Sequence, residues 1–142
     1  MTTDTKLSYG TKAWFEMIGE TMCDFARKAN LSSDVNYSLV EHFTDGDTWE
    51  GGLSEGFRFD IVNGKPAFRV GAKPGELCDL TINVTRNASQ TLNTMRGDDP
   101  RFEATLEKFM TSGEFHVVQG DLMDLFNLIG PVHDTVVDRT AA

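Results

Sequence analysis

Imidazole titrates near neutral pH and ligates metals, so His42, His116 and His133 are the first residues to test for chemistry. His116 sits between Phe115 and Val117 in "EFHVVQ", facing away from both if that stretch is a strand. His42 stands in the same way beside Val40. No two histidines have the His-x-x-x-His spacing of a metal site. Asp45, Asp47 and Glu50 crowd carboxylates into "TDGDTWEGG", but the alternation that a calcium loop needs fails after the second ligand, leaving a solvated turn. Gly51-Gly52 lacks the basic residue of a phosphate loop, and Gly-x-Ser-x-Gly does not occur. Cys23 and Cys78 read as two buried thiols, not a bridge. The expectation is therefore no catalytic residue, no metal and no cofactor. An enzyme, the alternative, would have to place His116 beside Asp60 or Asp79 as an acid–base pair.

Hydrophobic periodicity supplies the elements that would carry these groups. Trp14, Phe15, Ile18, Met22, Phe25, Ala26 and Ala29 recur at helical spacing and predict an amphipathic helix over about 11–30. "VNYSLVEHFT" reads as a strand, and "GFRFDIV" and "PAFRVG" as two more joined by the Asn-Gly of a type I′ turn at 63–64. "CDLTINVT" alternates again, with Leu80, Ile82 and Val84 on one face. Such alternation predicts a largely antiparallel sheet with one face covered and one wet. Ala88, Leu92 and Met95 then return to helical spacing up to Gly97. Phe102, Leu106, Phe109 and Met110 form the apolar face of a helix that Asp98 or Asp99 would cap, with Pro100 in its first turn and Gly113 at its end. "EFHVVQ" is a fifth strand. "LMDLFNLI" is a helix apolar beyond a single stripe, and the tail 130–142 has room for one or two further turns.

The 142 residues make one domain of α+β class: a five-stranded sheet covered on one face by helices. The net charge of −9, with the 13 basic residues dispersed, excludes the basic footprint of a nucleic-acid binder or of stable attachment to an anionic membrane. No apolar run reaches the roughly 20 residues of a membrane span. The opening residues lack the basic and apolar regions of a signal peptide, so the expected location is cytoplasmic.

Three stretches together resemble the sterol carrier protein type-2 domain family. They are the hairpin "FRFDIVNGKPAFRVG" before "GELCDLTINVTRN", the segment "QTLNTMRGDDPRFEATLEKFMTSGEF", and the closing "GEFHVVQGDLMDLFNLI". The similarity spans about Ser38 to Ile129. It implies helices over a sheet with an apolar cavity between them that holds a fatty acyl chain, a sterol or a similar molecule. The acidic charge separates this chain from basic animal members of the family, so transfer between anionic membranes is not expected.

With that resemblance, the expected ligand-lining residues are Phe59, Ile82, Leu92, Met95, Phe102, Leu106, Phe109, Met110, Leu122, Leu125, Phe126 and Ile129. Their role would be wall contact, with methionines adapting to varied apolar shapes. Trp14 falls on the core stripe of the first helix, while Trp49, in a polar turn, suits a cavity mouth or an interface. The partner is then an apolar small molecule carried or sequestered by a soluble protein. A homodimer that buries the surplus apolar surface is a further alternative.

Overall fold

The computed structural model describes residues 6–141. The opening residues 1–5, used above against a signal peptide, and Ala142 of the tail lie outside the described residues. A two-residue strand β1 (Leu7–Ser8) leads into helix α1 (Lys12–Lys28), and strands β2 (Tyr37–Phe43), β3 (Ser54–Val62), β4 (Lys65–Ala72) and β5 (Leu80–Val84) follow. Helices α2 (Arg86–Asn93) and α3 (Phe102–Ser112), strand β6 (Phe115–Gln119) and helix α4 (Leu122–Ile129) complete the expected order. Helix α5 (His133–Asp138) and strand β7 (Thr140–Ala141) then fill the tail.

The fold is α+β. Its main sheet has the order β4-β3-β2-β5-β6. Three neighbouring pairs are antiparallel and the pair β2–β5 is parallel, so the sheet is largely antiparallel, as the alternation predicts, with one parallel pairing inside it. The parallel pair arises because β5 enters the sheet beside β2, across from the β3–β4 hairpin, instead of continuing the meander. At the hairpin, Asn63 and Gly64 both take positive φ (52° and 77°), the type I′ geometry that a two-residue loop needs. The short pair β1–β7 is parallel and joins the two ends of the described chain, a feature that two-residue strands are too short to announce in a sequence.

Helix α1 starts where the Thr11 side chain accepts the Trp14 amide at 3.2 Å, and Arg27 and Lys28 sit at its negative end. It buries Trp14, Phe15, Ile18, Met22 and Ala26 against the sheet. Gly19 lets it come close, since a Cβ there would lie 2.2–2.6 Å from the Phe68 ring. The N-cap of α3 is Arg101, later than the expected aspartates; Asp99 instead accepts from the Arg101 amide at 2.8 Å. Gly113 closes that helix in the left-handed conformation, φ 84°.

The far face of the sheet is not simply wet. The β4–β5 connection folds over it and packs Cys78 on Val40 and Ala72. Glu76 of that connection accepts from Arg58 at 2.7 Å and Arg69 at 2.5 Å. Burial alone would raise the Glu76 pKa, but hydrogen bonds from Arg69, the Lys73 amide and Arg58 outweigh it and hold the carboxyl down at about 2.

Candidate functional site: the inner face of the central strands

The inner face of the sheet is apolar across all five strands. Leu39 lies beside Phe59 on one side and Leu80 on the other; Phe43 pairs with Val84, Ile82 with Val117 and Val84 with Phe115. The helices do not cover this face evenly. Helix α1 packs on β3 and β4, α3 packs on β6, and α5 packs against α1 and α2. The central strands β2 and β5 therefore lie beneath the seam between α1, which has α4 and α5 packed against it, and α3. Phe15 of α1 fills one part of it, edge-on to Phe43 with ring centroids 5.3 Å apart.

Glu41 stands in the middle of this apolar face. Its strand partners are Phe57 and Ile82. It stays partly exposed although Leu39, Phe43, Phe57 and Ile82 around it are all 4% exposed or less. Strands flank β2 on both sides, so that exposure belongs to the side chain and looks into the seam. Among the described residues none donates a hydrogen bond to its carboxylate. Burial among apolar groups raises its pKa from the ordinary 4.5 to about 7. Tyr9 lies near enough to sense this charge; its own burial pushes the phenol up to about 12, and its hydroxyl donates to the Arg86 carbonyl at 3.3 Å. Tyr9 also lines a surface recess with Trp49, Glu55 and Arg86, so the seam approaches the surface at the turn that holds Trp49. Trp49 itself rests edge-on against Phe15, with centroids 5.7 Å apart.

The residues expected to line a cavity are distributed around the seam. Phe59, Ile82, Leu92, Phe109 and Ile129 are buried in one continuous core. Phe102, Leu106, Leu122 and Leu125 pack against that core while remaining partly exposed, and Met95 is also partly exposed. Met110 and Phe126 are 47% and 48% exposed, so any contact they make with a ligand lies on an open rim. The recess at Tyr9 aside, three others lie away from the seam. They sit on the exposed side of α3 near Glu107, at the end of α1 near Asn30, and on the far face near His42. None of these four recesses is an enclosed chamber among the residues expected to line a cavity.

The acid–base pairs considered for an enzyme are not brought together. His116 registers with Asn83 at the β6 edge, three strands from Asp60 across a sheet with roughly 4.8 Å between strands. Asp60 is engaged by Arg58 at 2.9 Å, and Asp79 accepts from the Ser38 amide at 3.0 Å. His133 is held against the Met95 carbonyl at 2.8 Å. Among the described residues no group of three or more His, Cys, Asp or Glu is disposed to hold a metal, and no helix is long and apolar enough to cross a membrane. Glu41 was missed in the sequence. The period of two in "LVEHF" nevertheless puts it on one face with Leu39 and Phe43, which is the available signal.

This arrangement of sheet and helices recurs in solved structures. A conserved hypothetical protein of Thermus thermophilus, described as a possible sterol carrier protein, superposes over 98% of this chain and 96% of its own, with TM-score 0.53 at 12% identity. A crystal structure of sterol carrier protein 2 superposes over 94% of this chain and 99% of its own, with TM-score 0.51 at 16% identity. No family model matches the sequence, and no curated protein matches it either. The chain has the sterol carrier protein 2 fold. At these identities the likeness carries the fold and nothing finer.

Proposed function

We propose that the protein binds a lipid-like molecule, such as a fatty acyl chain or a sterol, in the seam between sheet and helices, acting as a carrier or sequestering protein in the cytoplasm. One observation carries this reading. Phe102, Leu106, Leu122, Leu125, Phe115 and Val117 pack on the core yet remain partly exposed, so α3, α4 and β6 form an apolar wall left incompletely closed. The names of the structural neighbours agree with it. Ligand enters as side chains part, with Met95 and Met110 adapting to its shape. Transfer of apolar surface from water supplies about 25 cal/mol per Å², so a long acyl chain reaches micromolar affinity without a charged anchor.

Native mass spectrometry of freshly purified protein, followed by solvent extraction, tests this. A co-purifying acyl chain, sterol or similar molecule supports it. A bare mass from protein that also refuses added apolar probes overturns it. Leu125→Trp and Phe109→Trp, which fill the seam, should each lower uptake of an apolar probe several-fold with the fold retained by circular dichroism; unchanged uptake in both removes the lining assignment. A second reading is favoured by Met123 and Phe126, 54% and 48% exposed on α4: this face closes on a second copy of the chain. Concentration-dependent sedimentation of ligand-free protein would support that alternative.

A further inference from the structure

The proposed carrier role leaves one side chain without a purpose. A wall that recognises only hydrocarbon has no use for a carboxyl at its centre, and the cross-strand neighbours Phe57 and Ile82 offer that carboxyl no hydrogen bond. Burying an ionisable group without a partner costs stability in the empty protein. Where such a group faces a seam that water still reaches, the missing partner belongs on the ligand.

We infer that Glu41 is the polar anchor of the seam, and that it selects apolar molecules whose polar end is a hydrogen-bond donor, a hydroxyl or an amine, over those ending in a free carboxylate. The assignment deepens the carrier reading and rests on it. The donor approaches a carboxyl walled by Leu39, Phe43, Phe57 and Ile82, where little water competes for the bond. A ligand carboxylate would bring a second negative charge to the same apolar site, and two carboxylates in one such site cannot both ionise. The nearby phenol of Tyr9 stays neutral throughout the working range. Neither β5 nor the Phe57 end of β3 supplies a cation to offset a second anion. Arg86, which like Glu41 lies close enough for Tyr9 to sense its charge, is already satisfied by Glu55 at 2.5 Å. Of the groups on the overlying helices, His133 is fixed on Met95, while Glu16, Glu20 and Asp24 of α1 are exposed to solvent. An amine gains most from ionised Glu41 and a hydroxyl can bond either protonation state.

The test uses diphenylhexatriene as an apolar fluorescent probe, displaced by 1-hexadecanol, hexadecylamine or palmitate, with the wild-type protein and with Glu41→Gln and Glu41→Leu. At pH 8.5 the alcohol and the amine should displace the probe from the wild type at concentrations about tenfold or more below palmitate, the scale of one hydrogen bond to a charged group. Glu41→Gln should keep the alcohol and lose the advantage of the amine. Glu41→Leu should bring the three within about threefold of one another. A readout free of any variant accompanies these: between pH 8.5 and 5.5 the wild type should lose about tenfold in amine affinity relative to the alcohol, as Glu41 takes up its proton. Equal binding of the three ligands by the wild type overturns the anchor and leaves the carrier role standing. So does a wild-type preference that survives in Glu41→Leu. Failure of the wild type to take up diphenylhexatriene or any of the ligands overturns both.

Discussion

At the residue scale, a carboxyl placed against apolar groups ties stability to pH. Folded Glu41 keeps its proton up to about pH 7, whereas its ordinary value is 4.5. Between those values the folded state holds more protons than the unfolded one, so stability falls as pH rises through this window and levels off above it. The shift corresponds to roughly 3.4 kcal/mol as an upper bound. Glu41→Gln should flatten that segment, and urea midpoints at pH 4.5 and 8 would show it; an unchanged difference between the two would mean that the carboxyl is solvated in the fold. Glu76 works in the opposite sense. Its pKa is held down at about 2, so the stability it lends is present above pH 4.5 and is lost as pH falls toward 2. Together the two groups favour the fold most near pH 4.5. The pair Glu55–Arg86 is different again. Glu55 is 3% exposed, and Arg86→Ala would strand its charge. We expect a loss on the order of 2 kcal/mol in urea unfolding, below the roughly 3–5 of a fully buried pair because the Arg86 side chain is itself 43% exposed.

At the scale of elements, the contact of α1 with β4 turns on Gly19. Alanine there would add up to about 1 kcal/mol of helix propensity. It would also drive a methyl into the Phe68 ring, an overpacking worth roughly 1–3 kcal/mol. Gly19→Ala should therefore lower the unfolding midpoint, and Gly19→Ala with Phe68→Leu should recover part of the loss. Elements of this length were legible because each repeats its period several times: α1, the Asn63-Gly64 hairpin, β5 and α4 all follow from spacing. The parallel pairing of β2 with β5 was not, because period two says which face a residue takes and not which strand lies beside it. The α3 cap lay later than expected because Asp99 holds a turn of its own, accepting from the Arg101 amide with its side chain and from the Phe102 amide with its carbonyl, and the helix begins after it. Of the candidate site, the apolar wall was readable as surplus hydrophobicity in "LMDLFNLI". Glu41 was hidden because acidic residues in strands ordinarily lie on the solvated face, whereas its period with Leu39 and Phe43 and its pairing with Phe57 and Ile82 put this one on the apolar face.

At the scale of the whole molecule, the tail locks the helix layer in place. Val136, Val137 and Thr140 are buried, and α5 packs against both α1 and α2. The buried indole of Trp14 donates to Thr140 Oγ1 at 2.8 Å, and Thr140 in turn donates to the Val136 carbonyl at 2.7 Å. Thr140→Val preserves shape but orphans the indole donor, so it should cost about 1–3 kcal/mol and raise hydrogen exchange in α5 before that in β3. A uniform rise across the sheet would show that the tail is no separate unit. The pairing of Leu7 with Thr140 has a consequence for synthesis. Helix α1 leaves the ribosome early, yet the group that satisfies Trp14 and the strand that pairs with β1 are translated more than a hundred residues later. Until then the growing chain presents an unlatched apolar face, which a chaperone meeting it at that stage can reach and the finished protein no longer offers.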